Sequence, residues 1–342
     1  MSVTLDKTSN TDTPTPAAPT RTRFAVGPLF EKYALVLALI AVVIVFSVLR
    51  PQTYPTAANL QNVLGSQAVL LILALGLIVP LTAGEFDLSA VSTMSLSAMT
   101  IAVLNAAHDW SLLPAIGVAV LAALFVGAVN AILVVRLQID SFIATLGSGT
   151  VVLGVVQWIS DATSVTGIDS ALVDATVGTR MFGVSLQFYY ALALVLVTAV
   201  VFQYTPIGRR LLFVGRGPQV ARLSGLHVDR IRGGALVTSA LVAALAGIVY
   251  AGMLSGADPS SGQSFMLPAF AAAFLGATAI TPGRFNAVGT LVAVYFLVAG
   301  VVGLQMLGVA SFVQQLFYGG ALVIAVALSG AVRRRTTSRS AR

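Results

Sequence analysis

Long apolar runs, parted by short polar stretches, occupy the chain from about residue 33 to 331. A helix that crosses a bilayer needs about 20 mostly apolar residues at ~1.5 Å each. Runs that fit or approach this pattern lie at 33–50, 63–83, 88–106, 111–135, 140–160, 187–204, 233–256, 267–281, 286–306 and 309–331. The eighth is short and bracketed by Pro268 and Pro282, and a re-entrant eighth run would make the span count eight or twelve. The second and third are almost continuous, separated by "GEFDLS" at 84–89. Residues 1–30 are rich in Thr, Pro, Ser and Ala, with almost no large apolar side chain before Phe24. Such a segment cannot bury enough surface to fold and is expected to be a disordered tail. It does not fit a secretory signal, because its leading region is too long and the run behind it is long enough to stay as an anchor. The expected fold is therefore an all-α polytopic membrane protein of about ten transmembrane helices. Its membrane domain spans 31–331, and a basic tail follows over 332–342.

Composition agrees: 57% of residues are hydrophobic and 9% charged, against roughly 25% charged in a soluble domain. The absence of cysteine excludes disulfides and thiolate sites. The two histidines, His108 and His227, have no metal-ligand spacing around them. Both lysines, Lys7 and Lys32, precede the first apolar run, so no phosphate-cradling Gly-rich loop with its Lys exists in the apolar body. Any ATP must be hydrolysed by another chain. No Ser-His-Asp order, metal motif or carboxylate pair at plausible depth suggests an enzyme, and no cofactor or metal is expected.

The net charge of +7 does not point to nucleic acid, because the cations sit in short loops and tails between apolar runs. With the N-terminus inside and ten spans, Arg50 and Arg180 are the cations left outside. The positive-inside rule then places both termini in the cytoplasm. Trp110, Trp158, Tyr189 and Tyr190 fall near span ends, where interface anchoring is their first reading.

One loop stands apart. "TPIGRRLLFVGRGPQVARLSGLHVDRIR", residues 205–232, carries Arg209, Arg210, Arg216, Arg222, Arg230 and Arg232. Gly217-Pro218 reads as a helix start and Gly225 as its stop. Between them Val220 and Leu223 share one face of about two turns. So short a helix is marginal in water unless docked. The loop is either a topology determinant alone or a docking element, and the capped helix with its apolar stripe favours docking.

The same residues resemble the central cytoplasmic loop of the ribose-type sugar permeases of ATP-binding-cassette importers. Thr205, Gly208, Arg209, Gly215, Ala221, Arg222, Leu223, Ser224, Gly225, Val228 and Arg230 stand where that family has them. "GEFDLS" at 84–89, "SFIATLGSGTVVLG" at 141–154 and "GRFNAVGT" at 283–290 follow the family's order along the chain. Departures are Gly217 for a usual Asn, Phe213 for Ala, Glu85 for Gly, and Pro282–Asn286 in place of a glycine-richer cluster. The resemblance implies a type II importer-like permease in a bacterial inner membrane, with a short coupling helix seated on an ATPase subunit. Residues assigned to that coupling are Gly208, Arg209, Gly215, Pro218, Ala221, Arg222, Leu223, Ser224 and Gly225. Further implied partners are a second permease subunit, identical or paralogous, and an extracytoplasmic binding protein that delivers a monosaccharide or polyol. Membrane lipid surrounds the assembly.

Glu85 and Asp87 are the sole carboxylates between Glu31 and Asp109. They either line the translocation path or form a hinge ion pair, or they sit in a solvated turn that starts the third span; their place between two runs favours the turn. Phe142, Thr145 and Gly147 belong to the same candidate region. For Thr145, Ser148, Thr150, Gly147 and Gly149, close helix packing is the first reading and substrate contact the second. Competing functions are a nucleoside or branched-chain amino acid permease of the same superfamily, and an ion-coupled secondary transporter, which would need ionisable groups inside the spans.

Overall fold

The computed structural model describes the backbone of residues 28–340 and the side chains of 32–327. The expected N-terminal tail thus lies outside the described residues, except for its last three positions, which already belong to the first helix. That helix, α1 (Pro28–Leu49), is followed by α2 (Ala57–Ser66) and α3 (Ala68–Ala83), a pair bent by 41° at Gln67. Next come α4 (Ala90–Ala102), continued by a π turn to Ala107, and α5 (Leu112–Ala131), which ends in a π turn at Arg136. After α6 (Ser141–Ile159) a long connection holds β1 (Val165–Thr166), α7 (Ser170–Val173), β2 (Arg180–Met181) and β3 (Val184–Ser185). Then follow α8 (Leu186–Tyr204), α9 (Pro206–Arg216), α10 (Pro218–Leu223) and α11 (Val228–Leu254). The chain closes with β4 (Gly256–Ala257), α12 (Met266–Gly276), α13 (Ala287–Met306) and α14 (Phe312–Ser340).

Among the described residues seven helices are long and apolar enough to cross a membrane, and the bent α2–α3 pair makes an eighth. One of the ten predicted runs falls short of that length: the eighth is α12, whose 11 residues reach only about 16 Å. The tenth lies in α14, apolar over Phe312–Ala327 among the residues with described side chains, and its helix continues to Ser340 through the predicted tail boundary.

The centre of the bundle is α3, apolar on every side and buried along its whole length, as expected of a helix with no polar stripe. The equally buried α4 carries Ser and Thr that satisfy themselves on backbone. Thr93 donates to the Ser89 carbonyl (2.8 Å), and Ser97 reaches across to the Ala244 carbonyl of α11 (3.1 Å). In a bilayer such hydroxyls serve helix packing, because no water is present to satisfy them otherwise. α11 packs on α3, α4 and α5, and α12 joins α13 and α14. The 27 residues of α11 span about 40 Å, so its two ends mark the two ends of the bundle. The loop 205–232 lies at the first end. At the other, β1 pairs antiparallel with β4 and β2 with β3.

Candidate functional site

The end of α3 is a turn fixed by backbone alone. Gly84 takes a left-handed conformation (φ 89°), and the Glu85 and Gly84 N–H groups donate to the carbonyls of Pro80 (2.9 Å) and Leu81 (3.3 Å). This double bond is the usual helix stop at glycine. The turn it begins is buried: Glu85 is 4% and Asp87 1% exposed. The expected turn is there, but not the expected solvation. The second and third spans meet inside protein, walled by α6, α9 and α11, so the two carboxylates must find partners within the fold.

They do. Glu85 forms an ion pair with the guanidinium Nε of Arg232, which projects from the second turn of α11. Asp87 accepts from the Ser89 N–H (3.0 Å) and hydroxyl (2.6 Å), which starts α4. The Ser89 hydroxyl in turn accepts from Asn130 of α5 (2.7 Å), whose carbonyl oxygen accepts from Ser148 of α6 (2.6 Å). Ser239 of α11 stands beside Asp87, although its hydroxyl and the second Asp87 oxygen each lack a bonded partner. Two side chains of α6 hold the intervening backbone. Phe86 N–H donates to Ser141 (3.0 Å), and Leu88 N–H donates to Thr145 (3.0 Å). Thr145 thus ties α6 to the turn, and Gly149 lies against Ser89. Gly147 faces outward with nothing near it. It lines a groove of about 830 Å³ between α4, α5 and α6 whose walls are almost wholly apolar.

Phe142 is half exposed and meets Phe86 edge-on, with ring centroids 6.2 Å apart. Both rings, with Gln263, Phe270 and Phe274, line a cavity of about 570 Å³ beside α12 and α14. The polar turn thus places one aromatic side chain, Phe86, on an open face.

The basic loop contains more structure than its punctuation suggests. The predicted helix is present as α10, started by Pro218 and stopped at Gly225 (φ 80°). An amphipathic helix that the sequence reading missed, α9, precedes it, capped by Thr205 with Pro206 in its first turn. Leu211 of α9 is buried against α3 and α11, Val214 against α10 and the start of α11, and Gly208 is buried too. Gly215 touches the last turn of α3 so closely that any side chain there would run into the Thr82 carbonyl. These two glycines therefore hold the loop to its own bundle. Arg209 stays exposed.

In α10, Ala221 is buried while Val220 and Leu223 are bare, Leu223 at 90% exposure. Ser224 bonds back to the Val220 carbonyl (2.9 Å). Arg222 is committed within the chain: it pairs with Asp229 on the first turn of α11 at 2.8 Å. Arg232 and Asn130, missed in the sequence, were foreshadowed only by two carboxylates without cations nearby in the chain.

Among the described residues no group of His, Asp and Glu could hold a metal ion. Residues 59–326 match the family described as the permease component of the branched-chain amino acid transport system. The ribose import permease protein of Bacillus subtilis is 30% identical over 317 residues, covering 88% of this chain and 93% of the relative. The L-arabinose ABC transporter permease protein of Azospirillum brasilense is 30% identical, covering 90% of each. The xylose transport system permease protein of Escherichia coli K12 is 24% identical, covering 90% of this chain and 93% of the relative. No solved structure matches the chain. A buried, polar-locked helix bundle with a partly bare loop helix is the frame of a multi-pass inner-membrane transport component rather than an enzyme, and the chain belongs to this permease family.

Proposed function

We propose that this chain is the membrane subunit of an ATP-binding-cassette importer that passes a monosaccharide. In this reading α12 and α14 complete a set of ten membrane segments, with both termini and the 205–232 loop in the cytoplasm. The domain limits are a membrane body from 31 to 331 between two polar tails. ATP is hydrolysed on a partner subunit. A second permease subunit completes the path, and a binding protein delivers the solute from outside. The chain's own task is alternating access, in which ATP binding biases one conformation against another.

The observation that carries this reading is α10. Six residues make too short a helix to persist alone in water, yet this one is held by α9 and α11 with Val220 and Leu223 turned out. A bare apolar stripe on a loop rich in arginine suits a cleft on a soluble partner. The monosaccharide assignment rests on the relatives, which are named for ribose, arabinose and xylose. The family's description favours a second cargo, a branched-chain amino acid.

The test is purification of the chain from its native membrane followed by reconstitution. A co-purifying ATPase, with ATP-dependent uptake of D-ribose, L-arabinose or D-xylose that leucine does not compete, supports the proposal. Leu223→Asp should release the ATPase while leaving the amount of inserted chain unchanged. Uptake by the chain alone, driven by an ion gradient, would overturn it.

A further inference from the structure

The ion pairs Arg222–Asp229 and Arg232–Glu85 both grip the start of α11. Asp229 and Arg232 lie three residues apart, so they are neighbours on the helix surface. One reaches back to the exposed α10 and the other reaches inward to the buried turn 84–89. That turn is held from two further sides, by Gly215 of α9 against Gly84, and by Ser141 and Thr145 of α6 on its backbone. Its exposed product is Phe86, whose ring meets Phe142 and Phe274 in the open cavity.

We infer that the first turns of α11 form a lever that carries movement of α10 to the Phe86 ring, with Arg232–Glu85 as its positioning pair; this rests on the reading of α10 as the ATPase contact. The physical argument is one of linkage. The route from α10 to Phe86 runs through Arg222, Asp229, one turn of helix, Arg232 and Glu85, with Phe86 next in the chain. A displaced α10 cannot leave the turn where it was unless an ion pair breaks, and in the Arg232–Glu85 pair the carboxylate is buried at 4% exposure, so its lost partner is costly to replace. Because α9 presses on Gly84 while α11 pulls on Glu85, the two helices that flank α10 act on the same turn. Phe86 then shifts against Phe142, which α6 holds, and the cavity between them opens or closes. Arg222 in this scheme acts through Asp229 and not by touching the ATPase.

The experiment uses the complex of this chain with its ATPase, reconstituted in liposomes, with D-ribose uptake and ATP hydrolysis measured together. The double variant Glu85→Gln/Arg232→Gln leaves no unpaired charge and should fold. It should keep the ATPase bound and hydrolysing, while solute moved per ATP falls by about tenfold, within the usual range of coupling between sites. An unchanged ratio overturns the inference, and so does a loss of hydrolysis in proportion to uptake, which marks a merely structural role. If that variant does not accumulate, the exposed pair decides. Arg222→Asp and Asp229→Arg should each lower the ratio, and the swap Arg222→Asp/Asp229→Arg should restore it. Loss at Arg222 alone, without rescue by the swap, overturns the lever and makes Arg222 a direct ATPase contact. Failure of the parent reading looks different: the unaltered chain would then retain no ATPase.

Discussion

The two ends of the bundle keep their carboxylates in opposite ways. At the loop end Glu85 and Asp87 are buried, one on a distant arginine and the other in a chain of polar side chains that crosses from the turn to α5 and α6. At the far end Asp258 and Asp169 stay near the surface and are held by donors of the connecting loops. Asp258 accepts from Ser164 (2.6 Å) and from the N–H groups of Ser260 and Ser261 (2.8 Å each). Asp169 caps α7 through Ala171 (2.9 Å). The far end can be undone locally, because each carboxylate answers to a few residues of one loop pair. The loop end resists this, because besides the local Asp87–Ser89 bonds its polar contacts tie the turn to α6 and α11 and join α4, α5 and α6. Motion at that end must therefore be concerted, which is what a transmitting element requires.

Removing one carboxylate from each end tests the contrast most directly. Glu85→Ala leaves the Arg232 guanidinium, only 24% exposed, without its partner, and breaking a buried pair in this way costs about 3–5 kcal/mol. Asp258→Asn keeps the side chain's shape and one accepting oxygen at a surface site, where the loss should be smaller, about 1 kcal/mol. Thermal unfolding of the two purified variants in one detergent measures the difference. Equal losses would show that the buried pair contributes no more than a surface carboxylate, and the comparison would fail.

A smaller effect follows from the contact that seats α9. Gly215→Val has no room against the Thr82 carbonyl, so α9 must shift from the end of α3 at a cost of about 1–3 kcal/mol, as overpacking usually does. Proteolysis within 205–232 should quicken in inserted chain, while the β1–β4 end keeps its resistance. Equal sensitivity at both ends would mean that the bundle yields as one body.

Much of this architecture was legible beforehand. The order of apolar runs, the break at 84–89 and the α10 helix follow from run length and from Pro218 and Gly225. The burial of Glu85 and Asp87 was not legible, because a polar hexapeptide between two spans looks the same whether water or other helices surround it. What separates the two cases is Arg232, 147 positions away, and no local pattern announces that contact. α9 escaped notice for another reason. Its apolar positions, Leu211 and Val214, lie between arginines, so the charge hid the amphipathic period. At α12 the run already short in the sequence is shorter still as a helix, 11 residues, because residues 277–286 leave the helix before α13 begins.

The smallest effect separates the ends by pH. Hydrogen bonds from Ser164, and then from Ser260, hold the Asp258 carboxyl down at about 2 against the opposing pull of burial. A group whose pKa is depressed on folding stabilises the fold above its unfolded value, near 3.9, and that contribution fades as pH falls toward the folded value. Acidification from about pH 5 to about pH 2.5 should therefore loosen the loop 255–265 and its pairing to β1. Amide exchange at Gly256, Ser260 and Ser261, corrected for the intrinsic pH dependence of exchange, should quicken over that interval in the parent chain. The serine hydroxyls can still bond a neutral carboxyl, which makes the change modest. In Asp258→Asn the side chain does not titrate, and protection at the same amides should then be flat with pH. A pH-dependent loss that persists in this variant would place its origin elsewhere and would remove Asp258 as the local anchor of that end.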